Sequence, residues 1–176
     1  WIRSKPADTF FVVDEAYGEY VDDKKWVSAA TLVQEGLDNL CVLKTFSKLF
    51  AMAGMRVGFS YSTKKTADTI RSQVAYDVML SIPSVEAALA ELADKDFIER
   101  SRAENRKARE ITCGAFDELG VEYLPSQTNF VLMRLKGSLK DFAGRMKAEH
   151  ILVGRPFPPA DNWCRISFGT VADMQY

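Results

Sequence analysis

The chain has 176 residues, 47% of them apolar, with 23 Lys plus Arg against 24 Asp plus Glu. A net charge of −1 gives no electrostatic reason to expect nucleic acid or an anionic membrane as a partner. One histidine (His150) and cysteines at 41, 113 and 164 without C-x-x-C spacing exclude a multi-histidine zinc centre, a zinc ribbon and a thioredoxin-like motif, so no metal is expected.

The odd, widely spaced cysteines point to reduced thiols and a cytoplasmic protein. No apolar run approaches the roughly 18 residues of a transmembrane helix. Trp1-Ile2-Arg3-Ser4-Lys5 runs into a polar stretch and does not read as a signal peptide. The chain starts without Met, and Thr170 to Tyr176 read as the first turns of a helix, so both ends are expected to be cuts in a longer polypeptide.

Phe10-Phe11-Val12-Val13, ended by Asp14, predicts a strand buried on both faces, as in a parallel sheet. Leu40-Cys41-Val42-Leu43, running into Lys44-Thr45, predicts a second strand, and Arg56-Val57-Gly58-Phe59-Ser60-Tyr61 a third. A helix candidate around Ala29 to Glu35 lies between the first two, which is βαβ spacing. Ser62-Thr63 predicts the cap of a helix from Lys64 through Ala75. Ser84 predicts another cap, followed by an apolar stripe of Val85, Ala88, Leu89 and Leu92. A long charged helix is expected from Ile98 to Leu119, with Ala108, Ile111, Ala115 and Leu119 as its stripe and Gly120 as its C-terminal stop.

The remainder changes character. Val121-Glu122-Tyr123-Leu124 and the run from Asn129 to Leu135 predict strands. Leu139, Phe142, Ala143 and Met146 mark a helix. Ile151-Leu152-Val153 and Cys164-Arg165-Ile166-Ser167-Phe168 predict two more strands. The expected fold class is α/β, with part of a mostly parallel sheet in residues 1–94 and a small α+β domain in residues 95–176.

Asp14 ends the first strand, within Asp14-Glu15-Ala16-Tyr17. In open α/β sheets, ligands bind beyond the carboxyl ends of strands. Lys48 lies in Thr45-Phe46-Ser47-Lys48, just past the second strand, and Arg56 follows Ala53-Gly54-Met55. Each has an ordinary reading when taken alone. A strand-end Asp is a turn or cap, a single Lys or Arg is a solvated surface group, and a Tyr is half-buried packing. The basic run from Arg100 to Arg109 contains Glu104 and is flanked by Glu99 and Glu110, so it reads as a solvated helix face. His150 reads as structural. Gly54 and Gly58 make neither a G-x-G-x-x-G pattern nor a P-loop, and they suit a tight turn and close strand packing.

Taken together and in order, Asp14-Glu15-Ala16-Tyr17, Thr45-Phe46-Ser47-Lys48, Ala53-Gly54-Met55-Arg56-Val57-Gly58, Pro125-Ser126-Gln127-Thr128-Asn129-Phe130 and Cys164-Arg165-Ile166-Ser167-Phe168-Gly169-Thr170 resemble the signature of fold-type I pyridoxal-phosphate aminotransferases. The nearest group is that of the histidinol-phosphate aminotransferases, and the resemblance spans essentially the whole chain. It implies pyridoxal 5'-phosphate as cofactor, with Lys48 binding it covalently through its amine and later moving a proton at the substrate α-carbon. Asp14 would pair with the ring nitrogen, Tyr17 would donate to O3′, and Arg56 and Ser47, with Thr45, would hold the phosphate. Arg165 would grip the substrate α-carboxylate. Arg155, displaced in register by Gly154, falls near a second family arginine that helps hold the substrate. Asn129 matches a motif position that either contacts substrate or steadies the start of a strand.

The resemblance further implies transfer of an amino group between an amino acid (or amino phosphate) and a 2-oxoacid, in a homodimer whose partner contributes to the site. Family members are longer than this chain, and the match begins near their middle. The missing half would supply the aromatic that stacks on the cofactor ring and part of the phosphate cup. Two alternatives stay open: a decarboxylase of phosphorylated amino acids on the same fold, and a non-catalytic binding or assembly module descended from such an enzyme.

Overall fold

A computed structural model describes residues 1–74 and 80–176. The backbone divides into two compact units, Trp1–Glu99 and Arg100–Tyr176. In the first unit, β1 (Phe11–Asp14), β2 (Leu40–Thr45) and β3 (Gly58–Tyr61) form a sheet in the order β1-β2-β3. β1 and β2 run parallel, with Phe11 opposite Leu40 and Asp14 opposite Leu43, and α1 (Ala30–Gln34) lies in the crossover. β3 is antiparallel to β2, with Gly58 opposite Thr45. A direct loop can make that return, whereas a parallel pairing needs a crossover.

Leu40 and Val42 are fully buried and form a core with Val33 of α1, against which Phe11, Val13, Leu32 and Leu37 pack. The predicted two-faced burial of β1 is not found. The strand alternates half-buried and exposed positions, and Val12 is 61% exposed. Successive side chains of a strand point to opposite faces, so the α1 core takes up Phe11 and Val13 and leaves Val12 and Asp14 on the other side. Gly58 is required by the β2–β3 approach, since a Cβ there would meet the Lys44 carbonyl oxygen at 2.7 Å.

α2 (Lys64–Ser72) is capped as predicted, the Thr63 side chain accepting from the Thr66 N–H. It ends at Ser72, and Ala75 lies outside the described residues. α3 (Ile82–Ala93) begins earlier than predicted, with Ser81 at the N-cap position and Pro83 in the first turn. Ser84 is not its cap. Its buried hydroxyl donates to the Met55 carbonyl at 2.8 Å. The predicted stripe is also rotated. Ser84 and Ala88 are buried, while Leu89 and Leu92 are 58% and 51% exposed. Small residues at these positions let the helix approach the core of Tyr20, Phe46, Leu49, Phe50, Met52 and Val57 closely, and that turns the leucines outward.

α4 (Lys95–Glu118) spans the division between the units. Its buried positions are Ala108 and Thr112, with Phe116 packed half-buried against the second core. Ala115 is exposed and Leu119 is 76% exposed, contrary to the predicted stripe. Thr112 takes the inner position because its hydroxyl donates back to the Ala108 carbonyl at 2.8 Å, which satisfies the buried oxygen. Gly120, at φ 62°, closes the helix, with the Val121 N–H donating to the Phe116 carbonyl at 2.8 Å.

The second unit holds an antiparallel sheet in the order β4 (Tyr123–Leu124), β5 (Phe130–Arg134), β6 (Trp163–Ser167). α5 (Leu139–Ala148) starts at Ser138, whose side chain accepts from the Asp141 N–H. Met133, Leu135, Leu139 and Cys164 form the core. Ile151–Val153 is not a strand. The Gly154 N–H donates to the Arg165 carbonyl at 3.2 Å, but no ladder follows and Leu152 is 83% exposed. His150, at φ 62°, instead takes the left-handed position that ends α5, and the Ile151 N–H donates to the Met146 carbonyl at 2.9 Å. α6 (Val171–Gln175) starts with a capping box between Thr170 and Asp173. Among the described residues, no helix is long and apolar enough to cross a membrane.

Candidate active site

Because β1 and β2 are parallel, their carboxyl ends open on one edge of the sheet. The Glu15 N–H donates to the Leu43 carbonyl at 3.0 Å, which carries the pairing one residue beyond β1. The chain then turns. The Asp14 carboxylate accepts the Ala16 N–H at 2.9 Å, and a 3₁₀ turn follows over Gly18–Tyr20. This is the ordinary Asx-turn role, and it leaves Asp14 exposed at the strand end.

Beyond β2 the chain makes a tight excursion and returns. The Phe46 N–H donates to the Val57 carbonyl, and the Met52 N–H to the Phe46 carbonyl, at 3.2 and 3.0 Å. Phe46, Leu49, Phe50, Met52 and Val57 are buried, so Ser47 and Lys48 are held on a loop whose apolar side chains are anchored. The Ser47 N–H donates to Thr45 Oγ1 at 3.1 Å. Arg56 sits in the left-handed region at φ 53°, and its Nη1 donates to the Ala53 carbonyl at 2.7 Å.

Asp14, Lys44, Thr45, Ser47, Lys48 and Arg56 line one pocket of about 380 Å³. Five of the six predicted cofactor residues thus meet in one place. Tyr17, the sixth, adjoins it, since Lys48 Nζ lies 5.2 Å from the Tyr17 ring centre. Two amines, a carboxylate, a guanidinium and two hydroxyls around one cavity form a donor set that suits a phosphorylated, aromatic, carbonyl-bearing molecule.

Sequence reasoning missed the polar cluster beneath this pocket. Glu15 is buried and accepts from Ser28 Oγ at 2.6 Å and from the Ala29 N–H at 2.7 Å. Lys44 Nζ lies 2.9 Å from Glu15 and 3.0 Å from Glu19. Burial drives the Glu15 carboxyl upward, but the bonds from Ser28, Lys44 and Ala29 outweigh it and hold the group below its usual range. Burial lowers the Lys44 ammonium, and the two glutamates more than restore it, so it is raised. Tyr20 is pushed up to about 12, chiefly by burial and then by Tyr17. No local pattern links residues 15, 19, 28 and 44; the β1–β2 pairing brings Glu15 beside Lys44, and Glu19 and Ser28 reach them from the turn and the crossover that follow β1.

In the second unit, Arg165 lies on β6 and Arg155 on the segment after Gly154. The Arg165 guanidinium is 4.9 Å from the Phe130 ring centre and 5.3 Å from that of Phe157; the Arg155 guanidinium is 5.0 Å from Phe157. Phe157 was not singled out from the sequence. Arg165 Nε is buried with no hydrogen-bond partner among the described residues. Asn129 precedes β5, and its carbonyl accepts the Phe168 N–H at 2.9 Å, which ties the strand start to the end of β6.

The chain is similar to known proteins along nearly its whole length. Residues 3–176 match the family model described as aminotransferase class I and II. Histidinol-phosphate aminotransferase 1 of Cupriavidus pinatubonensis is 32% identical over 174 residues, covering 96% of this chain and 46% of that protein. A crystal structure from Erwinia carotovora atroseptica superposes with a TM-score of 0.94 at 45% identity, over 99% of this chain and 50% of that one. Histidinol-phosphate aminotransferase from Sinorhizobium meliloti, solved in complex with pyridoxal-5'-phosphate, gives 0.85 at 27% identity, over 99% and 48%. The chain spans less than half the length of the curated relatives it matches. With its α/β architecture and its sequence matched from residue 3 to residue 176, the chain belongs to the aminotransferase class I and II family.

Proposed function

We propose that this chain is part of a pyridoxal-phosphate-dependent aminotransferase of the histidinol-phosphate type. The carrying observation is the single pocket shared by Asp14, Thr45, Ser47, Lys48 and Arg56. The cofactor, when bound, supplies an electron sink for charge developing at the substrate α-carbon. In this reading Lys48 holds the cofactor through its amine and, once freed, carries a proton to or from the α-carbon. Asp14 holds the proton on the ring nitrogen, and Tyr17 donates its hydroxyl toward O3′. Arg56 presents a planar fork to the phosphate, with the Ser47 and Thr45 hydroxyls beside it.

Arg165 is proposed to take the substrate α-carboxylate, with Arg155 and Asn129 as further substrate contacts. The buried, unpartnered Nε of Arg165 and the aromatic rings against its guanidinium support this role. Residues 1–94 are read as the second half of the cofactor-binding large domain and 95–176 as the small domain. The substrates are an amino acid or amino phosphate and a 2-oxoacid. The enzyme is proposed to be a cytoplasmic homodimer; the free thiols of Cys41, Cys113 and Cys164 support the compartment.

The test is uptake of pyridoxal phosphate by the full-length enzyme. A band near the visible edge should appear, and it should be absent from Lys48→Ala. Amino transfer from L-histidinol phosphate to 2-oxoglutarate should follow in the wild type only. Survival of the band in Lys48→Ala would sink the assignment. Carbon dioxide release from L-threonine phosphate in place of amino transfer would convert the reading to a decarboxylase.

A further inference from the structure

We propose that Glu15 and Lys44 are positioning residues. Their ion pair clamps the Asp14–Tyr17 turn to the end of β2 and sets the charge balance under the pocket. The inference rests on the cofactor reading of that pocket.

Asp14 is the last residue of β1 and Tyr17 opens the 3₁₀ turn, so both depend on how the intervening segment is held. Its backbone is tied to β2 by the Glu15 N–H to the Leu43 carbonyl. Its side chain is tied at both oxygens: Oε1 to the Ala29 N–H, and Oε2 to Ser28 Oγ and Lys44 Nζ. Lys44 reaches back to Glu19 on the far side of Tyr17, so one ammonium spans the turn. Gly18 leaves room for this, because a Cβ there would meet the Trp26 ring at 3.1 Å and Lys44 Nζ at 3.4 Å. The Trp26 ring centre lies 5.8 Å from the same ammonium. Ser28, Ala29 and Lys44 thus converge on the buried Glu15 carboxylate, and Glu15, Glu19 and Trp26 surround the Lys44 ammonium; none of these is a predicted cofactor contact.

The cluster also carries charge. Glu15, Lys44 and Glu19 together hold a net −1. Among the described residues, Lys44, Asp14 and Arg56 are the charged groups that line the pocket with Lys48, and the Tyr17 ring lies against the Lys48 amine. Replacing Lys44 by Met leaves −2 beneath the pocket and favours a protonated amine linkage. Replacing Glu15 by Gln leaves zero and disfavours it. A merely structural role would not produce opposite signs.

The experiment uses the full-length enzyme with pyridoxal phosphate as probe. It reads the dissociation constant and the pH midpoint of the visible band in wild type, Glu15→Gln, Lys44→Met, Lys44→Arg and Ser28→Ala. Lys44→Met and Glu15→Gln should each bind at least about tenfold more weakly, since each loses a charge-assisted bond. The midpoint should move up in Lys44→Met and down in Glu15→Gln, and stay in place in Lys44→Arg. Ser28→Ala, which removes one hydroxyl and keeps both charges, should weaken binding with little movement of the midpoint, and it serves if the charge variants do not fold. Wild-type affinity in the variants, or midpoints that move in the same direction, would overturn the positioning role. Failure of the wild type itself to take up the cofactor would overturn the reading of the pocket instead.

Discussion

The Lys48 ammonium lies 5.2 Å from the centre of the Tyr17 ring. A cation over an aromatic face is attracted by the ring quadrupole, by about 0.5–1 kcal/mol where water has access. Tyr17 therefore has two separable parts, a ring that steadies the lysine and a hydroxyl proposed to reach the cofactor. Tyr17→Phe keeps the ring and removes the hydroxyl, and should weaken pyridoxal phosphate binding by about tenfold. Tyr17→Ala removes both and should weaken it further. Equal affinity in Tyr17→Phe and wild type, read by absorbance titration, would remove the hydroxyl from the site.

Phe157 is the common surface for Arg155 and Arg165. If the two arginines hold anionic groups of one substrate, Phe157 fixes their spacing. Phe157→Ala should raise KM for the anionic substrate several-fold, consistent with about 0.5–1 kcal/mol for each lost contact, and change kcat little. Phe157→Tyr keeps the ring and should restore KM. A fall in kcat at constant KM would show that the ring acts on the chemical step rather than on binding.

The parts of the candidate site that were legible in the sequence are those written locally. Asp14 follows an apolar run, Lys48 follows a second, and Arg56 precedes a third; strand ends placed them near one sheet edge, and the ordered motifs around them, by their resemblance to a known family, singled them out. Glu15 and Lys44 were not legible because their pairing exists only once β1 and β2 lie in register. The apolar stripe of α3 was misassigned for a related reason. Periodicity shows that Leu89 and Leu92 share a face, but the close packing of Ser84 and Ala88 decides which face is buried. Ile151–Val153 has the composition of a strand, yet a strand requires a partner, and among the described residues of this segment only Gly154 donates to β6.

Two glycines are held by close backbone contact rather than by turn geometry. A Cβ at Gly58 would meet the Lys44 carbonyl oxygen at 2.7 Å, and one at Gly154 would meet that of Arg165 at 2.6 Å. Neither neighbour can rotate away, because both are main chain. Gly58→Ala should cost about 1–3 kcal/mol and displace β2 beside Lys44. Gly154→Ala should cost a similar amount and move Arg155 relative to Arg165. Thermal denaturation of each variant, with cofactor titration for the first, checks both. An unchanged midpoint for Gly58→Ala would show that the strands can separate without loss.

The Glu15–Lys44 pair also fixes a pH dependence of stability with two limbs. Glu15 is held below its ordinary value of 4.5, so its contribution is present above that pH and is lost as pH falls through the lowered value. Lys44 is raised above 10.5, so its contribution is present below that pH and is lost as pH rises through the raised value. The stability difference between wild type and the double variant Glu15→Gln/Lys44→Met should therefore be flat between the two ordinary values and shrink toward both extremes. Tyr20, pushed up to about 12 by burial, weakens both proteins alike above its ordinary value of 10 and cancels in the difference. Urea denaturation across the pH range measures this. A difference that stays constant down through the acid limb would mean that Glu15 titrates in the folded chain as it does in the unfolded one.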